Sequence, residues 1–190
     1  QDSRFKDLNS LKGQRAAISR YGSGSHLMAY LNAMKLKWNK ASNLEFKVVK
    51  DLNGAVKSLS NKEADYFMWE KFTTKPLVDQ KIFRRLGDCP TPWPCFVIAC
   101  RKTILENDHD TIRKIIDVVK EKAKKIKQDP HSIESISWRY HLAHDTVEKW
   151  FYETTWNTET LPMTSAIQPA IDFLFASRLI DPKPLVSWSS

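Results

Sequence analysis

Apolar and polar positions follow two different periods along this chain, and the change from one to the other divides it. Residues 14–20 (Gln-Arg-Ala-Ala-Ile-Ser-Arg) read as a strand, and Gly22–His26 as a tight loop. Leu27, Met28, Tyr30, Leu31 and Met34 then recur at helical spacing up to about Trp38. Residues 44–50 read as a second strand, Asn53-Gly54 opens a short helix, and residues 64–69 (Ala-Asp-Tyr-Phe-Met-Trp) form a third strand. A weaker strand is expected near 83–86. The apolar run 95–100 (Cys-Phe-Val-Ile-Ala-Cys) reads as a buried strand. Between them, three prolines in Pro90–Pro94 forbid helix and stiffen the chain. A β-α-β-α-β order of this kind makes a parallel sheet with helices on its faces.

After residue 101 only helical periods remain. Asp108 is placed as an N-cap, and Ile112, Ile115, Ile116, Val119, Ala123 and Ile126 follow as an apolar stripe with lysines opposite. Pro130 ends that helix and Ser132 starts another. Asp145 with Glu148 resembles a capping box for a third. The last helix carries Ile171, Leu174, Phe175 and Leu179, with Pro169 near its first turn. Residues 14–100 therefore make a small α/β lobe, whereas 101–190 are helices with apolar faces and almost no sheet of their own. They must cover either the first lobe or a sheet supplied from outside this sequence.

Composition narrows the class. The chain has 190 residues, 42% hydrophobic and 27% charged, values of a folded globular protein. Its most apolar uncharged stretch, Cys89–Cys100, is too short and too proline-rich to span a bilayer. Gln1 opens straight into polar residues, so the expectation is a removed leader or a start inside a longer chain. The net charge of +8 is uneven: residues 1–60 carry 11 basic and 4 acidic groups, residues 128–190 carry 4 and 8. The basic half favours an anionic partner, although most of its lysines read as solvated surface. Cys89, Cys95 and Cys100 are an odd set without metal-ligand spacing. A Cys89–Cys95 disulfide fits the spacing; free thiols in a reducing compartment are the favoured expectation.

Three segments carry candidate chemistry. In Arg20–His26, glycines let the chain turn tightly, so that loop N–H groups and a helix dipole meet at one spot. Gly22 and Gly24 supply the turn. The hydroxyls of Ser23 and Ser25 and the ring of His26 add hydrogen-bonding groups; the plain alternative is an ordinary βα loop with a serine cap. The loop is not a dinucleotide fingerprint, because Leu27 stands where a third glycine belongs, and no Gly-Lys-Ser/Thr follows. The second segment follows the third strand: taken alone, it reads as an aromatic cluster closing the core with Glu70 paired to a lysine, but beside the first motif Trp69 and Phe72 suit stacking on a flat ligand, and Glu70, Thr73 and Thr74 hydrogen-bonding it. Asn53 opens a helix on the same rim. In the third, Pro92-Trp93-Pro94, Trp93 reads either as a cleft wall or as a buried turn. His141 and His144 have a spacing that a helix surface shows by chance, and no nucleophile elbow or acid–base pair is present. Lys120–Lys127 lacks the interleaved aromatics of a single-strand binder.

The stretches Leu11–His26, Ala64–Pro76 and Pro92–Ile98 resemble type II periplasmic-binding-protein-like proteins. More narrowly, they are similar to the branch that binds nitrate, sulfonate, taurine and thiamine pyrimidine, including a yeast-type subgroup. The resemblance implies two α/β lobes, one inserted into the other, that clamp a ligand by hinge closure. Residues 1–93 then match the inserted lobe. Residues 94–190 match a return strand and the helices of the first lobe, whose initial strands have no counterpart here. It also implies that Gly22–His26 and Trp69–Thr74 line the cleft around a small anionic or heterocyclic solute. No cofactor, metal, nucleic acid or covalent step is expected. A membrane permease enters as partner only for an exported protein, with a periplasmic location in a bacterium and a cytoplasmic one in the yeast-type subgroup.

Two other classes stand beside this one. Thiamine-pyrimidine synthases share the implied fold but carry a cysteine-rich motif for which Cys89-Pro-Thr-Pro-Trp-Pro-Cys95 is a poor substitute. A basic interaction module predicts steeply salt-dependent nucleic-acid binding.

Overall fold

Strand β1, Arg15–Ile18, is buried at Ala16, Ala17 and Ile18 in succession, so both of its faces are covered. That continuous burial marks a central parallel strand, where a half-exposed strand would alternate. In the computed structural model, which describes residues 4–38, 44–94, 96–155 and 163–180, β1 pairs in parallel with both neighbours. Strand β2, Glu45–Val48, lies on one side in the register Arg15↔Glu45 to Ile18↔Val48. Strand β3, Tyr66–Phe67, lies on the other, with Ala16 opposite Tyr66 and Ala17 opposite Phe67. The sheet order is β2-β1-β3.

The two crossovers run in opposite directions along this sheet, so a common handedness puts their helices on opposite faces. The packing agrees. Helix α1, Gly24–Lys35, contributes Ala29 and Ala33 to a cluster with Ala16, Ile18, Phe5, Leu11, Trp38 and Tyr66. Helix α2, Leu52–Ser60, contributes Ala55 to the other cluster, with Ala17, Val49 and Ala64. Small residues at these helix–sheet contacts bring the helices close to the strands. Tyr66 keeps its hydroxyl buried with no partner among the described residues, and burial beside Asp65 pushes its pKa up to about 12.

Gly54 is fixed by a close approach. A Cβ at this position falls 1.9 Å from the Val49 carbonyl oxygen. That oxygen is held by the Asp51 N–H at 2.9 Å across Lys50, whose φ of 69° closes a tight three-residue turn. Asp51, and not Asn53, caps α2 by accepting the Gly54 N–H at 2.8 Å.

Several expectations need correction. Residues 70–79 contain a helix, α3 (Lys71–Asp79), with Pro76 inside it. Residues 83–86 form no strand; Phe83 and Leu86 instead lie half-buried against the two core clusters, which explains their apolar character. Residues 96–100 are neither strand nor buried: Phe96 is 100% exposed at φ 64°. An apolar run becomes a buried strand only where neighbouring strands flank it, and among the described residues none does.

The chain divides into two compact units, one built from Gln1–Pro92 with Pro169–Ser190 and the other from Trp93–Gln168. The described elements of the second are helical. They are α4 (Lys102–Asn107), α5 (His109–Gln128), α6 (Ser132–Tyr140) and α7 (His144–Glu153). Asp108 stands at the cap of α5 without a side-chain capping bond. Asp145 lies in the first turn of α7, after the cap residue Ala143, so no capping box forms there. The final helix, α8 (Met163–Ala176), begins earlier than its apolar spacing indicates, leaving Pro169 in its interior.

Candidate functional site

The three parallel strands end at one edge, and each is followed there by a helix N-terminus. Because the order is β2-β1-β3, the chain leaves β1 toward β2 and later returns to β3 on the other side. The point between the carboxyl ends of β1 and β3 is the topological switch of this sheet. In open α/β sheets that is where a crevice forms. The segments on its two sides are Arg20–His26, after β1, and Met68–Thr74, after β3. Asn53 is on the same edge but beyond the outer strand β2, exposed in the first turn of α2. Trp93 belongs to the Trp93–Gln168 unit.

The β1 side is built by a four-residue turn. Ser23 N–H donates to the Arg20 carbonyl at 3.2 Å, and Gly22 sits at φ 75°, a conformation suited to glycine at the third position of a type II turn. Ser23 then caps α1, its Oγ accepting the His26 N–H at 3.3 Å. Ser25 turns inward: its Oγ accepts the Ser19 N–H at 2.9 Å and lies 3.0 Å from Ser23 Oγ. Both serine hydroxyls are buried and occupied by the protein itself. What the turn leaves open is backbone. The N–H groups of Gly24 and Ser25 take no hydrogen-bond partner among the described residues.

His26 is also turned inward. Its Nδ1 accepts the Gly22 N–H at 3.2 Å, so the neutral ring carries its proton on Nε2. The rings of Phe46, Tyr30 and Tyr21 surround it edge-on, with centroids 4.7, 5.2 and 5.3 Å away. Burial pushes its pKa below the ordinary histidine value. The sequence leaves these residues open between ligand groups and an ordinary βα loop with a serine cap; in the structure Ser23 caps the helix, and Ser25 and His26 hold the turn as its scaffold. Ser19, Tyr30 and Phe46 belong to that scaffold and were missed. Only the four-residue step from His26 to Tyr30 was a signal in the sequence.

The β3 side is organised by Glu70. Its Oε2 caps α3, accepting the N–H groups of Phe72 at 2.9 Å and Thr73 at 2.7 Å. The hydroxyls of Thr73 and Thr74 donate to the Glu70 carbonyl at 3.2 and 3.0 Å. These three polar groups thus complete the helix start. Phe72 is half-buried under the Lys71 ammonium, 4.7 Å from its ring. Trp69 is 41% exposed and stacks on Phe67 at 5.0 Å with 19° between the planes, leaving its other face outward.

The three helix starts differ electrostatically. Asp51 and Glu70 place a carboxylate on the N-termini of α2 and α3 and satisfy their positive ends internally. Helix α1 has a neutral serine cap and no acid in its first turn. It alone of the three keeps its dipole uncompensated, at the central strand. Among the described residues no group of side chains fits a metal ion, and no helix is long and apolar enough to cross a membrane. Cys89 and Cys100 are free; burial pushes the Cys89 thiol up, while Cys100 is exposed. Cys95, the proposed partner of Cys89, lies outside the described residues.

This arrangement recurs in a known architecture. A solved structure of the Candida albicans CA3427 gene product, described as defining a family with the generic periplasmic binding protein structural fold, superposes with a TM-score of 0.85 at 23% identity. The fold is that of a periplasmic binding protein. The match covers 97% of this chain and 62% of that one, so the chain spans less than two thirds of that protein's length. A family model described as Ca3427-like PBP matches residues 1–89, which include the whole switch-point edge. No curated protein matches the chain.

Proposed function

We propose that this protein binds a small anionic or heterocyclic solute at the carboxyl edge of its sheet, between the turn after β1 and the segment after β3, without covalent chemistry. The observation that carries the reading is the uncompensated N-terminus of α1 at the switch point, with the Gly24 and Ser25 N–H groups open. Two orphan amides and a helix dipole suit a nitrate, sulfonate, carboxylate or phosphate oxygen. The outward face of Trp69, across the switch point in chain topology, suits a flat or apolar body. Similarity to a Ca3427-like PBP family over residues 1–89 supports a binding role for this part of the chain.

The test is native mass spectrometry of the purified protein for a co-purifying small mass, followed by thermal-shift titration with nitrate, sulfate, taurine and a hydroxymethylpyrimidine as probes. At least one probe is expected to raise the melting temperature. Trp69→Ala is expected to weaken its binding about tenfold, equivalent to ~1.4 kcal/mol of stacking. Binding that is unchanged in Trp69→Ala, or a complete lack of response to all four probes with no co-purifying mass, rejects the site.

A further inference from the structure

We infer that His26 is a proton-operated latch on the turn that presents the N-terminus of α1. Its effect on solute capture rests on the binding site proposed above; the latch itself does not.

The residue is tied to the turn twice. Its backbone N–H reaches Ser23 Oγ at 3.3 Å, and its ring Nδ1 accepts the Gly22 N–H at 3.2 Å. The ring bond is the one that responds to pH. In neutral imidazole, Nδ1 offers a lone pair to the amide. Once protonated, both ring nitrogens are donors. Two N–H groups then face each other across the same gap, and the attraction becomes a repulsion. The turn then keeps its Ser23 N–H bond to the Arg20 carbonyl at 3.2 Å and the His26 N–H bond to Ser23 Oγ at 3.3 Å, and loses the one that fastens Gly22.

The surroundings favour the neutral, latched state. His26 is 7% exposed, which makes a charge on its ring costly. The groups facing the ring are Tyr21 from the turn, Tyr30 from its own helix and Phe46 from β2. Among the described residues no carboxylate, lysine or arginine forms an ion pair with it. Desolvation is accordingly the cause of the lowered pKa. Acidification therefore releases the Gly22 amide and loosens the segment that aims the Gly24 and Ser25 N–H groups. A histidine is suited to this because its charge changes close to physiological pH.

The test is an NMR pH titration of the intact chain, following the His26 ring and the Gly22 amide together. The expected result is one shared midpoint below the ordinary histidine value. Across it the Gly22 amide proton moves upfield, as a proton does on leaving an acceptor, and loses its protection from exchange. His26→Asn places a non-titrating oxygen where Nδ1 stood and is expected to abolish the Gly22 transition while keeping the protection. If that variant does not fold, the wild-type titration of the His26 ring against the Gly22 amide decides alone. The inference is overturned if His26 titrates while the Gly22 amide stays fixed. It is equally overturned if His26 stays neutral down to acid unfolding, or if the Gly22 transition persists in the variant. Because no solute enters this experiment, failure of the proposed binding site leaves its outcome unaffected.

Discussion

Replacing Gly54 by alanine sets helix propensity against a steric clash. In a helix interior alanine is favoured over glycine by about 1 kcal/mol. The structure reverses the sign. The new Cβ meets the Val49 carbonyl oxygen at 1.9 Å and its carbon at 2.9 Å, whereas real Cβ atoms essentially never come within 3.0 Å of a neighbour. The carbonyl has to retreat by more than 1 Å, and it is not free to do so. It accepts the Asp51 N–H at 2.9 Å, and the Val49 N–H is fastened to the Ile18 carbonyl at 2.8 Å. Crowding of this kind costs roughly 1–3 kcal/mol. Loss of the turn bond adds about 1 kcal/mol. After the propensity gain, a net loss of about 2 kcal/mol remains, or a fall of roughly 4–8 °C in Tm for a chain of this size. Far-UV circular dichroism during thermal and urea unfolding measures it. Gly24→Ala is the control, since a Cβ there meets nothing within 4 Å and its backbone is already helical. That variant is expected to match or slightly exceed the wild type. A Gly54→Ala protein as stable as the wild type would refute the reasoning.

Two further substitutions probe the same edge. Glu70→Ala strips the cap from α3 and leaves the Phe72 and Thr73 N–H groups without their acceptor. A loss of about 1 kcal/mol in the urea midpoint is expected, largely restored in Glu70→Gln; equal stability of the alanine variant would contradict the cap. The neutral His26 also makes stability depend on pH. Its folded pKa lies below the ordinary histidine value of about 6.5, so the unfolded chain takes up the proton first. The stability it contributes is fully present above pH 6.5 and is lost as pH falls through the folded value. Urea midpoints of the wild type and His26→Asn, compared between about pH 7.5 and pH 5, should diverge on the acid side. Parallel curves would show that the ring does not titrate across folding.

Much of the first unit was legible because its signals are local. Gly22 and Gly24 marked the turn, Ala16 to Ile18 the buried strand, and the apolar steps from Leu27 to Met34 the first helix. The parallel β-α-β-α-β order followed from these. Helix α3 escaped notice because no residue in it is buried and Pro76 argues against helix, while its start depends on Glu70, an uncommon cap. The run 95–100 misled for a different reason. Apolar side chains report a tendency toward burial, but the strands that would satisfy it are a property of the surroundings. At the turn after β1, residue positions were legible and side-chain directions were not. Spacing located Ser23, Ser25 and His26, yet whether a hydroxyl faces solvent or the Ser19 amide depends on side-chain direction, which spacing does not encode.

Helix α5 carries a consequence for how this protein melts. It has 20 residues and buries none of them. Its apolar stripe, including Ile115 and Val119, stays about half exposed. Apart from the tie of Lys127 to Phe151 of α7, where its Nζ donates to the carbonyl at 2.6 Å, the contacts that hold it are mostly local: its own backbone ladder and pairs such as Lys125 with Glu121 at 2.6 Å, one turn apart. A helix held that way behaves like a peptide, lengthening and fraying with temperature instead of breaking in one step. Ellipticity should decline gradually before the sheet unit lets go. The slope of that early decline, more than the midpoint that follows it, would then measure how much of the molecule lies outside its cooperative core.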